Sequence, residues 1–459
     1  MRRNITNSLN LGQSKLRKSP LTFSIQCSDF EPIFHKMKKL KIGIAGLGTV
    51  GKGVYEILRK DAEILAQKSQ TIFEVVAVSS RSKKDFVDSK IKFYPNAMDL
   101  ASDPEIDVVV ELIGGGDLAK NLMIAALKNG KEFVTANKAL LAEHGFEIAE
   151  LAEASKTHVG FEAAVAGATP IVKAFKEGLA ANEITEFYAI LNGTCNFILS
   201  KMKDENLDFS PVLKEAQDLG FAELDPTFDI KGIDTAHKLA LLAAIASGTK
   251  PAFNQLTIEG IDEISIHDIK LADELGYKIK LLAIYKNLGE SCQQTVYPAL
   301  VKNSEKIAQV DSSFNAILIN ASNAGLSLTI GRGAGGFPTG SAVVSDLLDI
   351  ASKRSTYMFG KKAAELTEAK ILPIANRVGK YFVRLTVDKK LAQETNFFDA
   401  VFGPKIKVES ATFFDAEEEI ICGFLTDAQK EQNVVEALKA IDQSLVKAAK
   451  FLRVEETNF

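Results

Sequence analysis

Residues 39–65 hold the arrangement that narrows the possible folds furthest. KLKIGIAG (39–46) is a short, apolar, β-branched run, Gly46-Leu47-Gly48-Thr49-Val50-Gly51 follows it, and KGVYEILRKDAEIL then shows helical periodicity. Glycines alone make many kinds of turn, but strand, glycines and helix in that order form the context that binds a dinucleotide. Gly46 permits the tight turn, Gly48 leaves the backbone open to a pyrophosphate, and Gly51 lets helix and strand pack closely. The helix N-terminus adds free N–H groups and a positive dipole end.

The next segments fit a doubly wound α/β domain over 37–160. FEVVAV (73–78) reads as the second strand and ends in Ser79-Ser80-Arg81. An acid at that place holds the ribose of NAD, whereas Arg81 suits the 2′-phosphate of NADP. Arg81 stacked on adenine leaves NAD usable, so NADP is the favoured cofactor and NAD stays open. IDVVVELIGG (106–115) is a buried strand whose end, Ile113-Gly114, passes near the cofactor. KEFVTANKALLAEHG (131–145) turns from strand to helix at Asn137-Lys138. Open α/β sheets bind ligands at the carboxyl ends of their strands, which puts Lys138 where substrate and nicotinamide meet.

GFAELDPTFDIKGIDTAHK (220–238) gathers Glu223, Asp225, Asp229 and Asp234 ahead of Lys238 and the apolar run LALLAAIA. Carboxylates so close repel one another unless a cation joins them, so this is either a solvated loop or a substrate-binding cluster. Asp234 and Lys238 stand at i and i+4 on a helix that Gly232 precedes and Gly248 can end. On a surface that pair is worth a few tenths of a kcal/mol, roughly. Set into an apolar helix, Lys238 could instead give a proton to a developing alkoxide.

At 459 residues the chain is long enough for two or three domains. A net charge of −4 argues against nucleic acid as a partner. No apolar run approaches the ~20 residues of a membrane helix, and a cytoplasmic protein is expected. Cys27, Cys195, Cys292 and Cys422 lack CxxC spacing, and the five histidines do not cluster, which leaves a hard cation held by oxygens as the open metal class. Residues 1–36 are basic and carry no acid before Asp29, as in a targeting peptide. Met37 begins MKKLKIGIAGLG, which favours a mis-assigned start over that reading; either way the segment is expected to be disordered.

HVGFEAAVAGATPIVKAF (158–175) and EFYAILNGTCNFILSKM (186–202), taken with GLGTVGKGV, VTANKALLA and the 220–244 stretch, resemble homoserine dehydrogenase in order from Lys39 to about Ser352. The resemblance implies a Rossmann domain for NAD(P), a second αβ domain over 161–335 for substrate and dimerisation, and a homodimer or homotetramer. It implies interconversion of L-aspartate 4-semialdehyde and L-homoserine, on the route to threonine, methionine and isoleucine. Residue by residue, it makes Lys238 the proton donor with Asp234 beside it, and brings Lys138 near substrate and nicotinamide. Glu223 then holds the substrate ammonium, with Asp229 a further pocket carboxylate. The family's sodium site carries over to Glu162 and the carbonyls of Val165, Gly167 and Thr169, and Gly340 matches a late glycine that returns to the cofactor. A neighbouring NAD(P)-dependent amino-acid reductase has no need of Glu223, Asp234 and Lys238 in this order. A non-catalytic regulator has no need of Lys138 or Lys238.

A helix over 336–353 is expected to pack back on the first domain, and 354–378 to connect to a third unit. Residues 379–459 read as strand, helix, strand, strand, helix, strand, which resembles an ACT regulatory domain of ferredoxin-like order. Asp388-Lys389-Lys390-Leu391 stand where that family usually has a Pro-Gly turn, and Pro404-Lys405 where it has a glycine. Glycines there admit a ligand closely, so threonine binding and a purely structural role both stay open.

Overall fold

The computed structural model describes residues 37–354, 356–389, 406–416, 419–441 and 446–457. The 1–36 extension, Pro404-Lys405 and the helix expected over 393–403 lie outside the described residues.

Strands β1 (Lys38–Ala45), β2 (Thr71–Ser79), β3 (Lys92–Tyr94), β4 (Val108–Glu111), β5 (Glu132–Thr135) and β6 (Val159–Gly160) form a six-stranded sheet in the order β3-β2-β1-β4-β5-β6. β1 runs parallel to β4, with Ile42 opposite Val108. Ile42, Ile44 and Val108 to Val110 are fully buried, as in a sheet covered by helices on both faces. Those helices include α1 (Thr49–Lys60), α2 (Gly116–Lys128) and α3 (Lys138–Ser155). The strand order reverses between β1 and β4, which opens a crevice at the carboxyl ends of the strands.

The middle of the chain supplies β7 (Ile184–Ile190), α4 (Gly193–Glu205), α5 (Thr227–Ile230), α6 (Ile233–Ser247), β8 (Thr257–Ile258), α7 (Ile266–Glu274), β9 (Tyr277–Asn287), β10 (Cys292–Lys302), β11 (Phe314–Ala321) and β12 (Gly325–Arg332). α6 lies between Gly232 and Gly248, both left-handed, and Leu239 to Ala244 are buried along it. α8 (Gly336–Ala351) then returns to the first sheet, as the sequence predicts, and its Val343 and Leu347 share a core with Val54 and Leu58 of α1. The two helices cross backbone to backbone: a Cβ on Gly53 would lie 2.3 Å from the Gly336 carbonyl oxygen.

The rest of the chain forms β13 (Val378–Gly379), β14 (Tyr381–Asp388), β15 (Val408–Ala416), β16 (Glu419–Thr426), β17 (Gln429–Lys430), α9 (Glu431–Ala440) and β18 (Val446–Glu455). β13 and β17 make a two-stranded ribbon. The four long strands of the expected third unit extend the middle sheet, which runs β12-β11-β7-β9-β10-β18-β14-β16-β15. The join is parallel pairing of Ala299–Val301 with Arg453–Glu455, a contact that leaves no trace in local sequence pattern. Within the tail the strands lie fourth, first, third, second, all antiparallel, in keeping with the ferredoxin-like reading. Glu455 seals the join, accepting hydrogen bonds from Tyr297 (2.8 Å), Lys286 (2.8 Å) and Arg377 (2.7 Å). Burial pushes its carboxyl up, but Lys286 and Arg377 outweigh burial and hold it at about 2.

Candidate active site

The glycine loop is shaped by its own backbone. Gly46 has φ +98° and its N–H donates to the Ser79 carbonyl at 2.8 Å. A Cβ on Gly46 would lie 2.4 Å from the Leu112 carbonyl oxygen, and one on Gly51 2.0 Å from that of Gly46. A Cβ on Gly48 would meet nothing within 4 Å, so this face of the loop is open. Gly48 caps α1 without a side-chain hydrogen bond, leaving the first N–H groups to a ligand. Leu47 is buried, Val50 half-buried and Thr49 exposed. Arg81 is exposed just beyond β2, with Lys83 and Lys84 close behind it.

Across the crevice, Gly114 to Gly116 all have positive φ and open space around Cα. The N–H groups of Ile113 and Gly114 donate to Oε1 of Glu111 at 2.8 and 3.1 Å, and the Thr135 hydroxyl donates to Oε2 at 2.6 Å. Glu111 is fully buried and fixes this turn. Sequence reasoning missed it; a lone acid closing the apolar run VVVE was the available signal.

Lys138 begins α3, after Asn137, whose side chain accepts from the Leu140 N–H. It reaches Asp234 in the first turn of α6: Lys138 Nζ is 3.2 Å from Oδ1 of Asp234. Lys238 Nζ is 2.6 Å from Oδ2 of the same carboxylate and donates to the Leu191 carbonyl at 2.7 Å. Asp234 is 5% exposed. Burial pushes its carboxyl up, but Lys238 and Lys138 outweigh this and hold it at about 2. The i,i+4 pair of the sequence is therefore two of the three members of a triad built around a buried carboxylate.

Asn192 completes the cluster. Its Nδ2 donates to Oδ1 of Asp229 at 2.7 Å and Oδ2 of Asp234 at 2.8 Å, while its Oδ1 caps α4 by accepting from Cys195 N–H at 2.8 Å. Burial pushes the Asp229 carboxyl up. Its partners Asp229 and Asp234 lie far off in sequence, so the motif around Asn192 does not mark it as a site residue. Cys195 is fully buried beside the Asp229 carbonyl, and burial raises its thiol well above the ordinary value. That suits a packed residue rather than a thiolate.

Two expected residues stand apart from these. Glu223 is exposed on the 221–226 loop, and its carbonyl accepts from Gln217 at 3.2 Å. The neighbouring Leu224 is 95% exposed, although Ala222 of the same loop is buried and Phe221 packs on Phe197 with ring centroids 4.9 Å apart. Gly340 lies in the crossing with α1, where a Cβ would come 3.1 Å from Val54 N. Gly336, a turn earlier on α8, is the glycine that approaches the cofactor loop, at Thr49.

The expected cation loop runs from Glu162 to Thr169. Glu162 is buried, and its two carboxylate oxygens accept from the N–H groups of Val172 (2.9 Å) and Lys173 (2.8 Å). Among the described residues no hydrogen bond reaches the carbonyls of Val165, Gly167 or Thr169. The Thr169 hydroxyl is buried without a partner.

Residues 46–162 match the family model described as "Homoserine dehydrogenase, NAD binding domain", and residues 170–348 that described as "Homoserine dehydrogenase". A homoserine dehydrogenase of Neisseria gonorrhoeae is 39% identical over 424 residues, covering 88% of this chain and 96% of its own length. One from Pseudomonas aeruginosa is 39% identical over 435 residues, covering 92% and 100%. The crystal structure of a homoserine dehydrogenase from Thiobacillus denitrificans superposes with a TM-score of 0.85 at 39% identity, over 92% of this chain and 99% of that one. A hyperthermophilic archaeal homoserine dehydrogenase in complex with NADPH gives 0.58 at 26% identity, over 70% and 99%. With a nucleotide crevice and a two-lysine carboxylate site facing it, this chain belongs to the homoserine dehydrogenase family of NAD(P)-dependent oxidoreductases in amino-acid biosynthesis.

Proposed function

We propose that the protein reversibly reduces L-aspartate 4-semialdehyde to L-homoserine with NADP preferred, and that Lys238 is the proton donor. The observation that carries this is the sharing of Asp234 by Lys138 and Lys238. An ammonium has three N–H donors. Lys238 commits one to Asp234 and one to the Leu191 carbonyl, which leaves one for the substrate oxygen. The open face at Gly48 and the uncapped N-terminus of α1 suit the cofactor, which when bound supplies hydride to the aldehyde carbon. Lys238 then protonates the oxygen that gathers charge, while Lys138 adds a second positive centre. Asp229 pairs with the substrate ammonium, and Glu223 joins it once the 221–226 loop turns inward.

Arg81, with Lys83 and Lys84, supports a 2′-phosphate and thus NADP. Glu162 and the carbonyls of Val165, Gly167 and Thr169 form an oxygen-only set suited to sodium. The strand order supports an ACT-like tail, and the role assigned to it is structural; saturable threonine binding by calorimetry would count against that role. A homodimer or homotetramer, to be weighed by sedimentation, and a cytoplasmic setting complete the reading. Its domain divisions at 160, 335, 353 and 378 would be supported by limited proteolysis that cuts within 354–378.

The test is NADPH oxidation on adding the semialdehyde, for the full chain and Lys238→Ala. A fall of roughly 10²- to 10⁴-fold is expected. Failure of the unaltered protein to oxidise NADPH while still binding it would sink the proposal.

A further inference from the structure

Arg453 of β18 is buried, its guanidinium 4.4 Å from the ring centroid of Tyr297 on β10. It holds two carboxylates. Within the tail, its Nε donates to Glu431 of α9 at 2.7 Å and its Nη2 at 2.5 Å. Towards the substrate half, its Nη1 and Nη2 donate to the two oxygens of Glu259 at 2.7 and 2.8 Å, a two-point grip that fixes direction as well as distance.

Glu259 belongs to the segment on which the active-site corner rests. Its N–H donates to the Val296 carbonyl of β10 at 2.8 Å, and Ile261 N–H donates at 2.8 Å to the carbonyl of Ile230, the last residue of α5. Between them Gly260 passes so close that a Cβ would lie 2.1 Å from the Ile230 oxygen and 2.6 Å from Lys231 Cα. A Cβ on Gly232, the residue that opens α6, would lie 3.2 Å from the Glu259 oxygen. Lys231 also pairs with Asp262 at 2.7 Å. α5 carries Asp229, and α6 carries Asp234 and Lys238. The corner between the two helices is thus packed backbone against backbone on residues 259–262, and such contacts have no soft side chain to absorb a displacement.

We propose that Arg453, contributed by the C-terminal strands, is a positioning residue for the substrate site: its grip on Glu259 sets the segment that seats the α5–α6 corner and thereby Asp229 and Asp234. The glycine loop for the cofactor lies on the other sheet and has no part in this relay. Loss of the grip therefore weakens substrate binding and spares cofactor binding. The tail is already fastened to β10 through Glu455, so the Arg453–Glu259 contact can be altered while that join remains. The inference rests on the reading of the corner as the substrate site.

Glu259→Gln is the variant to make, because the Glu259 side chain is partly exposed and the change keeps its shape. Arg453→Lys, which keeps the charge but loses the fork, serves as the second. The full chain is assayed for homoserine oxidation well below its melting temperature, with NADPH affinity measured by fluorescence. We expect KM for homoserine to rise roughly five-fold or more in both variants, with any fall in kcat smaller than the rise in KM and NADPH affinity unchanged. An unchanged KM, or a loss shared with NADPH affinity, overturns the proposal and reduces the contact to an anchor. Asp229→Asn is run alongside: if it leaves KM untouched, the reading of the corner is what fails, independently of Arg453.

Discussion

Lys138 and Asp234 meet at 3.2 Å although each lies in the first turn of a helix belonging to a different sheet. Their contact ties the nucleotide half to the substrate half at the place where hydride must cross. It also sets an unusual charge balance, with two ammonium groups on one buried carboxylate.

Replacing Asp234 by Asn should therefore do more than remove a hydrogen-bond acceptor. It leaves Lys138 and Lys238 facing each other with Asp229 as the neighbouring carboxylate and no anion between them. We expect kcat to fall by roughly two to four orders of magnitude and stability by about 3–5 kcal/mol. Steady-state kinetics and urea unfolding would measure the two effects.

Acid should unfold the protein through two sites at once. Asp234 and Glu455 are both held at about 2, below the ordinary 3.8 and 4.5. Because both values are depressed in the folded state, the stability they give is complete above about pH 4.5 and is lost as pH falls towards 2. The shifts correspond to about 2 kcal/mol for Asp234 and about 3 kcal/mol for Glu455. Melting temperatures from pH 6 to pH 2.5 should fall less steeply in Glu455→Gln than in the unaltered protein.

The two outer glycines of the GxGxxG loop should fail differently from the middle one. Gly48→Ala adds a methyl group to open space on the cofactor side, so NADPH affinity should drop about ten-fold or more with melting unchanged. Gly51→Ala forces a methyl group against the Gly46 carbonyl and should cost about 1–3 kcal/mol of stability. Calorimetric titration beside thermal melts would separate the two.

Arg81→Ala should lower the preference for NADPH over NADH. A charge-assisted bond to a phosphate is worth about 1.5–3 kcal/mol, so the ratio of kcat/KM values should shift about ten- to a hundred-fold. An unchanged ratio would assign the preference to Lys83 or Lys84.

Much of this was legible where the physics is local. The strand, glycine loop and helix at 39–60 and the Asp234–Lys238 spacing depend on residues a few positions apart, and both appear as read. Asn192 and Glu111 were not legible as site residues, because their partners lie in other elements and an Asn or Glu at a strand end has many ordinary uses. Nor was the contact of Lys138 with Asp234. Glu223 and Gly340 show the reverse limit: motif position marks them, but an exposed turn of the 221–226 loop and a helix crossing decide where they stand. The strands of the third unit appear in the order read, but their join to the middle sheet, three residues of β10 facing three of β18, is not legible in local pattern.

That join has a consequence for synthesis. The outer edge of β10 at Ala299–Val301 is closed by a strand translated long afterwards. At ordinary rates the nascent chain carries this edge bare for roughly ten to thirty seconds. During that interval its unpaired N–H and C=O groups are a template for any passing strand. Mispairing of the half-made chain would then strike the sheet against which the helix carrying Asp234 and Lys238 packs.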